Sequence, residues 1–152
     1  MSGRRGTRAN IGTRDTEIAV SEARIDILRA GYEAFNRRDW AAMFQAAAPD
    51  FEMITAARVT NPGTYHGTDA AMQVMEDLFE PFEEVSAEPE EFLPASGDRI
   101  VTLVIMRFRP YGTTAFVENR IAHVWTFRDG AVTRMHVFPE RENALEAVGL
   151  GG

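Results

Sequence analysis

The chain has 152 residues, 45% hydrophobic and 26% charged, and its 16 basic against 23 acidic residues leave a formal net charge of −7. That length suits one domain with a proper apolar core, and the acidic balance argues against a nucleic-acid partner, because phosphate-backbone binding runs on clustered cations. Every basic residue is Arg and no Cys occurs, which excludes lysine Schiff bases, thiolate nucleophiles, disulfides and Cys-held zinc.

Residues 1–15 read as a loose basic tail, with Arg4, Arg5, Arg8 and Arg14 among Gly, Ser, Thr and Asn. Such a stretch buries too little to order itself. Nothing apolar follows Arg4-Arg5 as a secretory signal would require. Apolar runs such as Leu103-Val104-Ile105-Met106 are far too short to span a bilayer. The expected location is cytoplasmic, with no membrane partner.

From Thr16 the spacing predicts a helix carrying Ile27, Leu28, Tyr32 and Phe35 on one face and ending at Asn36-Arg37-Arg38. Asp39 can cap a second, short helix with Trp40, Met43 and Phe44, stopped by Pro49. Phe51 to Thr55 alternates like a strand. Asn61 to Gly67 is turn chemistry throughout and predicts a loop. Thr68 is a suitable cap for a third helix with the stripe Met72, Met75, Leu78, Phe79 and Phe82. The eight acids between Glu76 and Glu91 read as a solvated outer face. Ile100 to Arg109 and Ala115 to Phe127 then predict two long strands, and Ala131 to Phe138 a third. A short closing helix from Pro139 to Val148 stops at Gly149. Helices followed by a long antiparallel sheet predict an α+β domain over residues 16–150.

Several strings in this order resemble the SnoaL-like branch of the NTF2-like superfamily: Tyr32-Glu33-Ala34-Phe35-Asn36-Arg37-Arg38-Asp39, Tyr65-His66-Gly67, Ala122 to Gly130 and Arg141 to Leu150. The resemblance implies a cone of curved antiparallel sheet with three N-terminal helices enclosing a pocket. It implies no cofactor and no single reaction, since the superfamily includes ketosteroid isomerases, polyketide cyclases, epoxide hydrolases and dehydratases as well as proteins without known chemistry.

Strand parity then selects pocket residues. Asn119, Ile121, His123, Trp125 and Phe127 share one face; Glu118, Arg120, Ala122, Val124, Thr126 and Arg128 share the other. Met106 and Phe108 are placed inside, Arg107 and Arg109 outside. For the last hairpin, a two-residue Asp129-Gly130 turn would set His123 opposite His136. A three-residue Arg128-Asp129-Gly130 loop with Gly130 left-handed would set His123 opposite Met135 and turn Arg134 and His136 out. The second is expected, because it keeps Arg134 out of an apolar cavity.

His123 is the catalytic candidate. By resemblance it stands where ketosteroid isomerases carry the carboxylic acid that donates to the developing enolate, and imidazole can serve as donor, acceptor or base near neutral pH. The alternative is a His packed beside Trp125 and hydrogen-bonded to a neighbour. Thr55 falls at the isomerase's general-base position and Gly31, beside Tyr32, at its catalytic tyrosine, which argues against steroid isomerization by that mechanism. Epoxide hydrolysis in this fold needs an inward Asp–Arg–Asp set, which the outward Arg107, Arg109 and Arg120 do not supply.

The expected ligand is a small apolar molecule, suited if it carries a carbonyl and a ring system. It would be oriented by Tyr32 and Asn119 and enclosed by Thr55, Met106, Phe108, Ile121, Trp125 and Met135; Tyr65 either closes the pocket mouth or packs on the third helix. With only His66, His123 and His136 available, no metal site is expected. The outer face, with Arg107, Arg109, Arg120, Arg134 and His136, is the expected homodimer contact. A non-catalytic binder or an association module of the same fold is the alternative function.

Overall fold

In the computed structural model, backbone is described for residues 2–55 and 63–151 and side chains for residues 14–55 and 63–151. The tail expected over residues 1–15 therefore falls largely outside the described side chains. The elements are α1 (Ser2–Asn36), α2 (Trp40–Met43), β1 (Ala47–Thr55), β2 (Gly63–His66), α3 (Thr68–Phe79), β3 (Phe82–Ala95), β4 (Arg99–Pro110), β5 (Val117–Arg128), β6 (Ala131–Phe138) and α4 (Arg141–Ala147). The domain is α+β, as its order of patterns predicts.

α1 ends where Arg38 takes a left-handed φ of 59°. Asp39 then caps α2, its carboxylate accepting from the Ala42 N–H at 3.2 Å. The cap of α3 is Gly67, with no side-chain bond, rather than Thr68, which lies in the first turn.

The six strands form one open sheet in the order β2-β1-β6-β5-β4-β3. It is mixed, because β1 runs parallel to β6 while the other pairs are antiparallel. Register shifts that leave extra residues in β1, β3 and β6 bend the strands locally and deepen the twist. α1, α2 and α3 pack on one face of the sheet around Leu28, Phe35, Phe51, Met53, Met75 and Phe79. The fourth helix, α4, lies on the opposite face over Val101, Ala122 and Val124. The three helices expected on one face are α1, α2 and α3, with α4 as the closing fourth; the antiparallel sheet expected is corrected by the parallel β1–β6 pair.

Two strands escape the sequence pattern. Residues 63–66, expected in a loop, pair with β1 as β2, Tyr65 opposite Met53. The acidic segment hides the 14-residue β3, whose Pro89 and Pro94 suit only an edge strand. One edge of β3 pairs with β4; at the other, Asn36 imitates a neighbouring strand. Its side-chain amide donates to the Ala87 carbonyl at 2.9 Å and accepts from the Ala87 N–H at 2.8 Å, which ties α1 to the sheet edge. The acids of β3 are also more than a solvated face: Glu84 meets Arg109 at 2.9 Å, Glu88 meets Arg107 at 3.0 Å, and Glu90 meets Arg141 at 2.6 Å.

The β5–β6 hairpin reaches the predicted parity by another route. Arg128 pairs with Ala131 across a two-residue turn in which Asp129, not Gly130, has positive φ. A bulge then shifts the register between Thr126 and Phe127, so His123 faces Val137 and Trp125 faces Met135. Met135 and Val137 thus point inward, while Arg134 reaches Glu52 on the outer side at 2.6 Å.

Candidate functional site

Helices and sheet enclose a cavity of about 440 Å³. Its wall is mostly apolar. α1 contributes Leu28, Tyr32 and Phe35, α2 and the following turn Met43 and Phe44, and α3 Met75 and Leu78. Five methionines (Met43, Met53, Met75, Met106 and Met135) face it, and their unbranched, polarizable chains adapt to irregular occupants. The inward register of β4 and β5 adds Met106, Phe108, Ile121, His123 and Trp125.

Of the residues expected at the site, His123, Tyr32, Thr55, Met106, Phe108, Asn119, Ile121, Trp125 and Met135 all line this cavity. Tyr65 does not. From β2 it packs against the core cluster beside Met53, so of its two expected placements the one over the pocket mouth is corrected. Exposure falls along β5 from Asn119, which is exposed and marks the rim, to the buried His123 and Trp125. Arg120 also reaches the rim, although its guanidinium is held by Glu90 and Glu118 on the outer side. Arg107 and Arg109 turn outward into ion pairs with acids of β3.

At the inner end of β5 the Tyr32 hydroxyl lies 2.6 Å from His123 Nδ1. The two rings run nearly parallel, centroids 5.8 Å apart, and Trp125 stands edge-on to both. Beside them Trp125 Nε1 donates to Thr102 Oγ1 at 3.1 Å. Thr102 and His123 are the buried polar side chains among the described residues, and they are direct cross-strand partners. Burial drives His123 down to a pKa of about 3 and pushes the Tyr32 phenol well above its ordinary value, against a weaker opposite pull from Thr102 and Trp125. Both groups are neutral across the ordinary pH range, so their contact is a hydrogen bond between uncharged partners.

The chemistry available is narrow. No carboxylate lines the cavity among the described residues, and Arg120 at the rim is the one charged lining side chain. Thr55, which lines the cavity, offers a hydroxyl and cannot take a carbon-bound proton as a carboxylate does. No three His, Cys, Asp or Glu side chains gather to hold a metal ion among the described residues. Thr102 is the site residue that sequence reasoning passed over. Its signal was a lone hydroxyl at inward parity on an apolar strand.

Residues 28–135 match the SnoaL-like domain family. The chain belongs to the SnoaL-like family. An NTF2-like protein of Burkholderia pseudomallei is similar in structure, with a TM-score of 0.69 and 26% identity over 83% of this chain and 97% of that one. TerC, co-crystallized with polyporic acid, has a TM-score of 0.69 at 22% identity, over 83% of this chain and 97% of its own. A Mycobacterium tuberculosis protein in complex with estradiol-17beta-hemisuccinate has a TM-score of 0.64 at 18% identity, over 76% and 92%. No curated protein matches this SnoaL-like chain in sequence. Among its described residues no helix is long and apolar enough to cross a membrane.

Proposed function

We propose that this SnoaL-like protein binds a small, largely apolar molecule in its cavity. His123, hydrogen-bonded to Tyr32, supplies the acid/base or polarizing group for a cofactor-independent proton transfer of the cyclization, dehydration or isomerization class. One observation supports the reading: the buried, hydrogen-bonded pair Tyr32 and His123 is set into a mostly apolar wall. With water excluded, a hydrogen bond to a developing oxyanion there is worth more than in solvent. A volume of about 440 Å³ lies in the range of roughly 300–1,000 Å³ usual for small-molecule sites. Ring-bearing ligands in two proteins of the same fold, polyporic acid and a steroid ester, support a ligand of that shape.

A second reading, a binder without turnover, draws on the missing carboxylate. Solvent deuterium exchange into the methyl group of 2-acetylnaphthalene, followed by NMR, separates the two. Exchange above the buffer rate that collapses in His123→Gln, with affinity largely kept, is the enzyme's signature. Tight binding with exchange at the buffer rate is the binder's. On either reading a homodimer is proposed through the outer face, where Ile54, His136 and Phe138 form a half-buried patch, the last two rings 4.1 Å apart. Sedimentation of wild type against Phe138→Asp tests it, and a monomeric wild type ends it.

A further inference from the structure

The cavity differs in polarity from its inner end to its rim. At the inner end Tyr32 bonds to His123 and Trp125 to Thr102. All four groups are uncharged, and no ionised side chain of the described residues lines the wall there. Four residues earlier on β5, Asn119 stands exposed at the rim, and its amide bonds to no other described residue. Asn119 and His123 project to the same side of one strand, so rim and inner end lie about 13 Å apart at roughly 3.3 Å per residue. Between them Met106, Phe108 and Ile121 present apolar surface. An ionised group carried to the inner end would lose its water and find no counter-ion, which is costly. At the rim it stays hydrated.

The rim also has a cation to offer. Arg120 is 59% exposed, and its guanidinium is held only at long range, 3.5 Å from Glu90 and 3.7 Å from Glu118. Glu90 is already engaged by Arg141 at 2.6 Å, and Glu118 by Arg107 at 3.6 Å. Arg109, by contrast, is fastened to Glu83 at 2.6 Å and Glu84 at 2.9 Å. We infer that the cavity takes an anionic amphiphile, its apolar ring or chain inserted first and its carboxylate left at the rim beside Asn119 and Arg120. The Asn119 amide donates to that carboxylate, and Arg120 exchanges its loose partners for it. This deepens the small-molecule reading above and rests on it. It also sets a length: the carboxylate stands on a tether that reaches from the inserted ring to the rim. An acid group fixed directly to a small ring is disfavoured, because it would carry its charge into the apolar wall.

Four naphthalene probes test this by titration calorimetry on the full chain at neutral pH: 2-naphthoic acid, 6-(2-naphthyl)hexanoic acid and the methyl ester of each. Comparing each acid with its own ester cancels the contribution of the added methylenes. The short acid is expected to bind about hundredfold or more weakly than its ester, because its charge is desolvated. The long acid should bind at least as tightly as its ester. Equal affinities in the short pair, or a penalty in the long pair as large as in the short one, overturn the inference. Arg120→Gln, at an exposed position, should weaken the long acid about threefold, the scale of a solvent-exposed ion pair, and leave the long ester unchanged. In wild type 6-(2-naphthyl)hexylammonium should bind more weakly than the long acid. An ammonium as tight as the acid, or a long acid indifferent to Arg120→Gln, overturns the anionic preference. Esters that bind while the acids break this pattern sink the amphiphile alone. If neither ester binds, the small-molecule reading falls and the amphiphile with it.

Discussion

β5 presents two unlike surfaces on alternate residues. Toward the helices it sets Ile121, His123, Trp125 and Phe127 into the main core and cavity wall. Toward the other side it sets Arg120 and Arg128 into ion pairs with Glu90 and Asp50, with Ala122 and Val124 covered by α4. On the inner face two uncharged hydrogen-bonded pairs, Tyr32 with His123 and Trp125 with Thr102, stand in a mostly apolar wall. On the outer face, charges of both signs pair in contact with solvent. The lesson is about where free energy and chemistry reside in the same strand. Desolvation amplifies each inner contact, whereas solvent screens each outer one.

The largest expected effect comes from the inner face. Phe51, 1% exposed and packed against Phe44, belongs to the class whose truncation to Ala costs about 3–5 kcal/mol through lost burial and the cavity left behind. Denaturant melts of Phe51→Ala check this. A loss below about 1 kcal/mol, the scale of an exposed ion pair, would erase the contrast between the faces.

The next effect is in pH. His123 takes a proton at about pH 3 in the folded protein and near its ordinary value of roughly 6.5 in the unfolded chain. Between those values the unfolded state binds more protons, so stability rises with pH and falls on acidification. From pH 6.5 to 5 the loss from this one group is about 2 kcal/mol, at about 1.4 kcal/mol per unit. His136, lowered by partial burial and then by Arg134, tilts the curve the same way in any variant that keeps it. The test is therefore a difference: His123→Gln should flatten this part of the curve relative to wild type. Parallel curves would mean that the imidazole is not buried neutral.

Asn36 supplies a third, smaller effect. Its two hydrogen bonds to Ala87 stand in for a strand at the edge of β3, and Asn36→Ala would leave that backbone unpaired in a partly buried place. About 1–3 kcal/mol is expected, with faster amide exchange at Ala87 than elsewhere in β3 as the local mark.

How much of this was legible follows the same division between faces. Inward parity on β4 and β5 could be read directly, because Met106, Phe108, Ile121, His123 and Trp125 alternate with Arg107, Arg109, Arg120, Ala122 and Val124. β3 could not, because Pro and Glu are poor strand formers and only its edge position admits them. β2 was hidden for a similar reason, its Gly63 and Thr64 carrying turn chemistry. The hairpin parity was foreseen for the wrong geometry: a bulge near Thr126 produces it, and nothing in the local sequence announces a bulge. The Tyr32–His123 contact joins residues 91 apart, so each could be named alone while their bond depended on how α1 lies across the sheet.

The smallest effect is expected on the outer face, and it sharpens the comparison from below. Arg134 Nε donates to Glu52 at 2.6 Å between parallel neighbours β6 and β1, in geometry as short as the Tyr32–His123 contact. If distance alone set the energy, the two contacts would matter equally. They should not, because Arg134 is about half exposed and water competes for both partners. A double-mutant cycle with Arg134→Ala and Glu52→Ala is expected to give a coupling of about 0.2–1 kcal/mol that shrinks as salt is raised. The parallel cycle of Tyr32→Phe and His123→Gln should be insensitive to salt, since neither group is charged. A salt-sensitive inner pair would contradict the neutral assignment of His123, and a strong, salt-resistant outer pair would place desolvated electrostatics on both sides of the sheet.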